Sequence, residues 1–449
     1  MGRLFGTDGI RGVVNENLNA ELAFEVGCAA AQVLGKDTGK KRPLVAIGKD
    51  TRISSDLLEG ALIAGLCSAG ADVLHLGVTP TPAVAFLTTE NEADAGIVIS
   101  ASHNSFEHNG IKIFNGQGFK LSDKLENEIE DMILFHESPA LCAGAEVGRV
   151  IYADKTAAAR YVEHLADTVE GDLSGLHILV DCANGAASAT AAALFRHFPG
   201  LRVDIIHDQP NGININYNCG STHIEKLASQ VREGGYDLGI AFDGDADRCL
   251  AADELGNEID GDQILAVCAA ALQDRKMLPS DTIVGTVMSN LGLHYFAKER
   301  GIHLICTDVG DRHVLEKMEE GGFLLGGEQS GHTIFRRYAT TGDGELTALQ
   351  LMAVLKQSGQ PASKLAAICK RYPQVLINVP VSRDRKEELM TSSVLAEAIA
   401  AEERALEGCG RILVRPSGTE PLIRVMVEAR EQHIARTIGE KLANIIKKL

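Results

Sequence analysis

Residues 238–249 read Leu238-Gly-Ile-Ala-Phe-Asp-Gly-Asp-Ala-Asp-Arg-Cys249, an apolar run that enters a segment carrying a carboxylate at every second position. An apolar run ended by acidic residues reads as a buried strand reaching its loop, and the same punctuation recurs along the chain. Residues 44–47, 73–76 and 96–99 are strand-like, with a helical period over 55–69 between the first two. A second set comprises 177–180, 203–206 and 238–242. A third comprises 282–287, 303–306 and 323–325, with helical segments near Leu291 and Val314. Strands alternating with helical segments form the βαβ pattern, so the first three quarters of the chain read as three similar α/β units. The last part reads as a smaller α+β domain: strands at 375–381, 412–414 and 423–427, a helix over 385–403, and a basic amphipathic helix at the end. Residues 357–363 have linker composition.

The chain has 449 residues, with 43 Lys plus Arg against 61 Asp plus Glu, a net charge of −18. Nucleic-acid binders displace counterions with a basic face, so this acidity excludes a generic nucleic-acid coat. With 45% hydrophobic residues there is apolar surface enough to give each unit a core. Ten cysteines lie singly between Cys28 and Cys409 without a Cys-x-x-Cys pair, so they read as reduced thiols, and the expected address is the cytoplasm. No apolar signal region follows Met1-Gly2-Arg3, and charged or polar residues interrupt each long apolar stretch. Gly6 stands where a myristoylation signal wants Ser or Thr. No membrane role is expected.

Three segments invite chemistry. Alternate side chains of a strand-end loop share a side, so Asp243, Asp245 and Asp247 can converge on one hard cation, for which Mg²⁺ is the natural candidate. Without a cation their mutual repulsion opposes folding. Together with Glu254 they match EF-hand positions, but Arg248 replaces the sharp-turn glycine and a strand leads in. An aspartyl nucleophile of the phosphatase kind would instead put an acyl phosphate on Asp243. Ile99-Ser-Ala-Ser-His-Asn-Ser105 sets hydroxyls among small residues at another strand end, where His103 and Asn104 can orient phosphoryl oxygens. Arg415-Pro-Ser-Gly-Thr-Glu420, with Arg424 beyond it, gathers guanidinium and hydroxyl groups in the manner of an anion clamp. The glycine-rich loops 6–12 and 326–332 stay open between turn and ligand loop on their own residues, although Glu328 suits paired sugar hydroxyls.

Taken in order, Gly6-Thr-Asp-Gly-Ile-Arg11, Ala101-Ser-His-Asn104, Asp243-Gly-Asp-Ala-Asp-Arg248, Gly327-Glu-Gln-Ser-Gly-His332 and Arg415-Pro-Ser-Gly-Thr-Glu420 make the chain resemble the α-D-phosphohexomutase superfamily, most closely its glucosamine-phosphate branch. The resemblance covers almost the whole chain. It implies an α/β protein of four domains around a central cleft, three related α/β domains plus a smaller C-terminal α+β domain. Their expected spans are 1–155 with a phosphoserine loop, 156–256 with a metal loop, 257–366 with a sugar loop, and 367–449 binding phosphate.

The implied enzyme is an isomerase of the intramolecular phosphotransferase kind, feeding UDP-N-acetylglucosamine synthesis. It would interconvert glucosamine 6-phosphate and glucosamine 1-phosphate through a phosphoserine and a bound 1,6-bisphosphate, primed by a hexose 1,6-bisphosphate. By resemblance Ser102 carries the phosphate, and Asp243, Asp245 and Asp247 hold one Mg²⁺ with it. A phosphoserine near charge −2 beside three carboxylates needs such an ion. Lys112 and Arg11 match positions associated with proton transfer or phosphate contact, and His103 neighbours the serine. Arg248 would steady the moving phosphoryl group, Glu328 and Ser330 would grip sugar hydroxyls, and Arg415, Ser417, Gly418, Thr419 and Arg424 would hold a phosphate. The implied partner is a small phosphosugar, with no nucleic acid or membrane, on a monomer or homodimer. The rivals are a phosphomannomutase or phosphoglucomutase of the same superfamily and a non-catalytic sugar-phosphate binder; Gln329 favours the glucosamine branch by resemblance. Two residues depart from the pattern: Ser105 stands where proline is usual, adding a hydroxyl beside Ser100 and Ser102, and His313 where tyrosine is commoner.

Overall fold

The run Leu238–Phe242 is a strand buried along its whole length, and every apolar run that opens an α/β unit in the sequence likewise forms a strand. In the computed structural model, which describes residues 4–6, 8–135, 140–154, 156–382, 385–406, 408–417 and 421–449, these strands assemble into four sheets. The first contains β1 (Ile10–Val13), β2 (Leu44–Lys49), β3 (Asp72–Val78), β4 (Ala95–Ile99), β5 (His108–Asn115) and β6 (Val150–Tyr152). The second contains β7 (His177–Asp181), β8 (Arg202–Ile206), β9 (Leu238–Phe242), β10 (Cys249–Asp253) and β11 (Glu258–Ile259). The third holds β12 (Thr282–Thr286), β13 (His303–Thr307), β14 (Leu325–Gly327) and β15 (Thr333–Phe335), and the fourth holds β16 (Gln374–Pro380), β17 (Gly410–Pro416) and β18 (Leu422–Ala429).

The first three sheets repeat one topology. Their shared cores run β3-β2-β4-β5, β8-β7-β9-β10 and β13-β12-β14-β15. In each, three parallel strands are followed by a fourth that returns antiparallel beside the third. The segments joining third strand to fourth are residues 100–107, 243–248 and 328–332, which are the serine, aspartate and Glu328 loops singled out in the sequence. Helices cover the sheets with their apolar faces. Leu58, Leu62 and Leu66 of the helix Ser55–Ser68 pack with Val45, Ile47 and Ile97, while Val314 and Met318 of the helix Asp311–Gly321 pack with Val284 and Ile334.

The chain divides into two compact units, residues 1–288 with 302–368, and residues 289–301 with 369–449. Residues 357–363 are not a free linker: they finish the helix Gly344–Ser358 and begin the helix Ala362–Ala366, and the Ser363 N–H donates to Glu254 at 3.0 Å. The expected strand at 323–325 begins later, because Phe323 closes the preceding helix, donating its N–H to the Met318 carbonyl after left-handed Gly322. The expected helix over 385–403 is two, Lys386–Met390 and Ser393–Ala405, interrupted where Ser392 turns extended. In the second unit the antiparallel order β16-β18-β17 packs on the helix Gln432–Lys448, whose Leu442 and Ile446 meet Val425 and Val427. All ten cysteines are free thiols, and among the described residues no helix is long and apolar enough to cross a membrane.

Glu428 ties the helix Leu291–Arg300 to the sheet of the second unit. Its buried carboxylate accepts from Asn290 Nδ2 and the Leu291 N–H, both at 3.0 Å, and from Arg411 Nε at 3.1 Å. Glu428→Ala leaves these donors unmatched and should destabilise this unit by about 2–3 kcal/mol. Amide exchange should then lose protection along 291–300 while β7 and β9 keep theirs.

Candidate active site

The aspartate loop is a tight turn, and the turn itself brings the three side chains together. Ala246 takes φ +58°, its N–H donating to the Asp243 carbonyl at 3.1 Å. Asp243, Asp245 and Asp247 each present an oxygen within 4.8 Å of the others, and all three are buried. Gly244 is required by close approach, since a Cβ there would come 2.5 Å from the Ser102 carbonyl oxygen.

Ser102 is buried and holds φ +52°, a conformation that costs a non-glycine residue about 1–3 kcal/mol and collects at functional sites. Its Oγ donates to Asp243 Oδ2 at 2.5 Å and lies 3.4 Å from His103 Nδ1. The neighbouring hydroxyls are turned elsewhere. Ser100 Oγ accepts the Ser102 N–H at 2.9 Å, and exposed Ser105 has its Oγ 3.4 Å from His108 Nδ1. Lys112 enters from β5, its Nζ 2.9 Å from Asp245 Oδ2, 3.3 Å from Asp8 Oδ2 and 3.5 Å from Asp247 Oδ2. Arg248 Nε lies 4.0 Å from Asp243 and 3.9 Å from Asp247, and Arg11 pairs with Asp8.

Burial and the charges of Asp247 and Asp245 push the Asp243 carboxyl well above its ordinary range. Burial also acts on Asp247, but Lys112, His332 and Arg248 outweigh it and hold that carboxyl low. Lys112 is held protonated, because Asp245, Asp8 and Asp247 together overcome its desolvation. Burial, Arg248 and Arg11 push His103 down to about 4, so its imidazole is neutral near pH 7.

Two oxygens of the turn, Asp245 Oδ1 and Asp247 Oδ1, are buried without a hydrogen-bond partner. Their counterparts are engaged: Asp245 Oδ2 also accepts from Thr81 Oγ1 at 2.7 Å. Unmatched carboxylate lone pairs in a triad of this size fit a hard divalent cation with oxygen ligands. Glu254, the fourth EF-hand position, accepts from Ser363 instead. A second group, Asp181, His207 and Cys219, also lies within metal-ligand spacing, but both Asp181 oxygens already accept backbone N–H groups, from Ala183 at 2.8 Å and Gly220 at 2.9 Å.

The third loop adjoins the cluster through His332, whose Nδ1 faces Asp247 at 3.7 Å and whose Nε2 accepts the Gly342 N–H at 3.1 Å. Half-buried Glu328 accepts the Gly310 N–H at 3.1 Å, Gln329 donates to Asp260 at 3.2 Å, and Ser330 is exposed. In the second unit Arg415 and Arg424 sit directly opposite on β17 and β18, with Ser417 buried just beyond. Gly418 and Thr419 lie outside the described residues. Sequence reasoning passed over Asp8, Lys120, Asp311 and His332. Lys120 Nζ lies 2.8 Å from both Asp8 Oδ1 and Asp311 Oδ1, and His332 Nε2 lies 3.5 Å from Asp311. Asp8 stood inside a quoted glycine-rich loop, where its charge was the available signal.

Family models match the chain in order: Phosphoglucomutase/phosphomannomutase alpha/beta/alpha domain I over residues 2–139, domain II over 159–256, domain III over 260–372, and the C-terminal domain over 376–445. The chain is 51% identical over 448 residues to a protein of Acetivibrio thermocellus named phosphoglucosamine mutase, covering 100% of this chain and 99% of that one. It is 52% identical to a protein of the same name from Pelotomaculum thermopropionicum, with 100% of each covered. Among solved structures its fold is similar to a phosphoglucomutase/phosphomannomutase family protein of Burkholderia thailandensis, at TM-score 0.80 and 24% identity over 100% of this chain and 98% of that one. It is also similar to Aspergillus fumigatus N-acetylphosphoglucosamine mutase in complex with GlcNAc-6P and magnesium, at TM-score 0.67 and 18% identity over 100% and 96%.

Lys112→Met should destabilise the first unit by about 3–5 kcal/mol at neutral pH, because it leaves buried carboxylates unpaired. Asp247 and Asp8 have lowered carboxyls, so the stability they draw from Lys112 is present above the ordinary carboxylate pKa near 4 and is lost as pH falls below it. The gap between variant and wild-type melting temperatures should therefore hold from pH 7 to about 4 and narrow as the pH falls further.

Proposed function

The chain belongs to the phosphoglucomutase/phosphomannomutase family, and on that premise we propose that it interconverts glucosamine 6-phosphate and glucosamine 1-phosphate through a phosphate carried on Ser102. The observation that carries the reading is the 2.5 Å approach of buried Ser102 Oγ to Asp243, beside two carboxylate oxygens with unmatched lone pairs. The relatives at about half identity over the full length, all bearing one name, support the substrate.

Asp243, Asp245 and Asp247 would hold Mg²⁺ beside Ser102, where the ion would neutralise charge on the transferring group. The chain's own residues do the rest. Protonated Lys112 and Arg248 attract the equatorial phosphoryl oxygens, and neutral His103 orients the phosphate on its neighbour. In one half-reaction the sugar O1 attacks phosphorus, the O1–P bond forms as the Oγ–P bond breaks, and the hydroxyl proton leaves to a base. The resulting 1,6-bisphosphate turns end for end. Ser102 Oγ then attacks the 6-phosphate, whose O6 regains a proton as the O6–P bond breaks. Glu328, with Ser330, is proposed to meet sugar hydroxyls, Arg11 to contact phosphate beside Asp8, and Arg415, Ser417, Gly418, Thr419 and Arg424 to bind phosphate in the second unit. Free thiols accord with a cytoplasmic setting.

Phosphorus NMR of the protein with Mg²⁺, a trace of hexose 1,6-bisphosphate and equal glucosamine 6-phosphate and glucose 6-phosphate tests the reading. The glucosamine 1-phosphate signal should grow first, whereas dominance of the glucose product overturns the substrate. Ser102→Ala should lower turnover by at least roughly 10³-fold with an unchanged fold. Near-normal turnover in that variant removes the serine from the mechanism.

A further inference from the structure

Two buried side chains grip the backbone of the serine loop from opposite sides. Arg52, whose side chain is fully buried and paired with Asp50, donates from Nη2 to the Ser102 carbonyl at 3.0 Å and to the Asn104 carbonyl at 2.6 Å. Asn216, from the segment that follows β8, donates from Nδ2 to the same two oxygens, at 2.9 Å and 3.0 Å. Each carbonyl thus accepts two donors, the full capacity of its lone pairs, and each side chain bridges both carbonyls. Four bonds of this kind over-determine a backbone that Ser102 would otherwise leave, given its φ of +52°.

The same clamp touches the aspartate turn. A Cβ on Gly244 would meet the Ser102 oxygen at 2.5 Å and Asn216 Nδ2 at 2.9 Å, so the turn packs directly on the clamped carbonyl. The loop after β7 ties the pieces together. Its Ala183 carbonyl accepts the Asn216 N–H at 2.9 Å, its Ala186 N–H donates to the Gly244 carbonyl at 2.8 Å, and its Asn184 carbonyl accepts Thr51 Oγ1 at 2.6 Å, next to Arg52. Ser102 belongs to the first sheet's loops and Asp243 to the second's, yet both are referred to one anchor.

We propose that Asn216, together with Arg52, is a positioning residue that fixes Ser102 Oγ against the Asp243–Asp247 turn, and that phosphoryl transfer depends on this clamp. The inference rests on the phosphoryl chemistry proposed for Ser102. A shift of about 1 Å in a reacting group can lower a rate on the order of 10²-fold, so loosening the clamp acts on transfer more than on sugar binding. Asn216 has φ +56°, which Gly and Asp tolerate. Asn216→Gly therefore removes the amide without straining the backbone, and Asn216→Asp keeps the shape while turning a donor into an acceptor that faces two carbonyls.

The test measures steady-state kcat and KM, and the single-turnover rate of phosphate exchange between Ser102 and glucose 1,6-bisphosphate. In both variants kcat and the exchange rate should fall together by about 10- to 100-fold, with KM changed less than about threefold. The Asn216→Asp deficit, taken against wild type at each pH, should shrink as pH is lowered, because a protonated carboxyl donates again. Exchange within about twofold of wild type in either variant overturns the inference, as does a loss confined to KM or to melting temperature without the pH rescue. A wild-type protein that exchanges no phosphate overturns the Ser102 chemistry itself and the positioning inference with it, and is thereby distinguished from failure of the clamp alone.

Discussion

Three carboxylates held within 4.8 Å of one another and out of reach of water repel each other, and the surrounding structure is arranged to offset that repulsion. Lys112 rises from β5 between Asp245, Asp247 and Asp8. Lys120 compensates Asp8 and Asp311, while Arg248 and His332 flank Asp247. The result is a continuous lattice of opposed charges linking the amino-terminal loop, β5, the aspartate turn and the Glu328 loop. Five carboxylates, Asp8, Asp243, Asp245, Asp247 and Asp311, meet four permanent cations, Arg11, Lys112, Lys120 and Arg248. Asp243 accordingly stands with a raised carboxyl. Under the proposed chemistry a divalent cation would join this lattice, and a phosphate on Ser102 would make that ion the more necessary.

Topology explains how residues so distant in sequence meet. Each α/β sheet turns its third strand back on itself, and each of those turns carries a different chemical kit: a hydroxyl in residues 100–107, carboxylates in 243–248, a carboxylate and an imidazole in 328–332. The first two are joined by the Ser102–Asp243 hydrogen bond and the last two by the approach of His332 to Asp247. One structural position, used three times, supplies the ingredients of one centre.

The parallel strands and the aspartate turn were legible in sequence, because burial on both faces writes a continuous apolar run and because three alternating carboxylates at a strand end repel one another unless a cation gathers them. The returning strands were not. Residues 108–115 spell His-Asn-Gly-Ile-Lys-Ile-Phe-Asn, in which Lys112 breaks the apolar pattern for the sake of the site, and the two edge strands β11 and β6 are too short to leave a period. The three similar units were legible as alternating strands and helices, but their shared strand order was not, since that equivalence does not lie in residue identity. Ser102 was visible as one hydroxyl among three. The hydrogen bond that distinguishes it from Ser100 and Ser105 links residue 102 to residue 243, a separation no local pattern reports. Arg52 and Asn216 were invisible for the same reason: their roles come from partners far along the chain.

The returning fourth strand also sets how the site can move. A segment leaving one strand and entering its antiparallel neighbour is pinned at both ends by ladder hydrogen bonds, and here Ser102 and Asn104 are gripped in the middle as well. Such a turn has little amplitude to offer. Under the proposed mechanism, a bisphosphate that presents first one end and then the other to Ser102 would do the travelling itself, rotating past a serine and aspartates that form a fixed station.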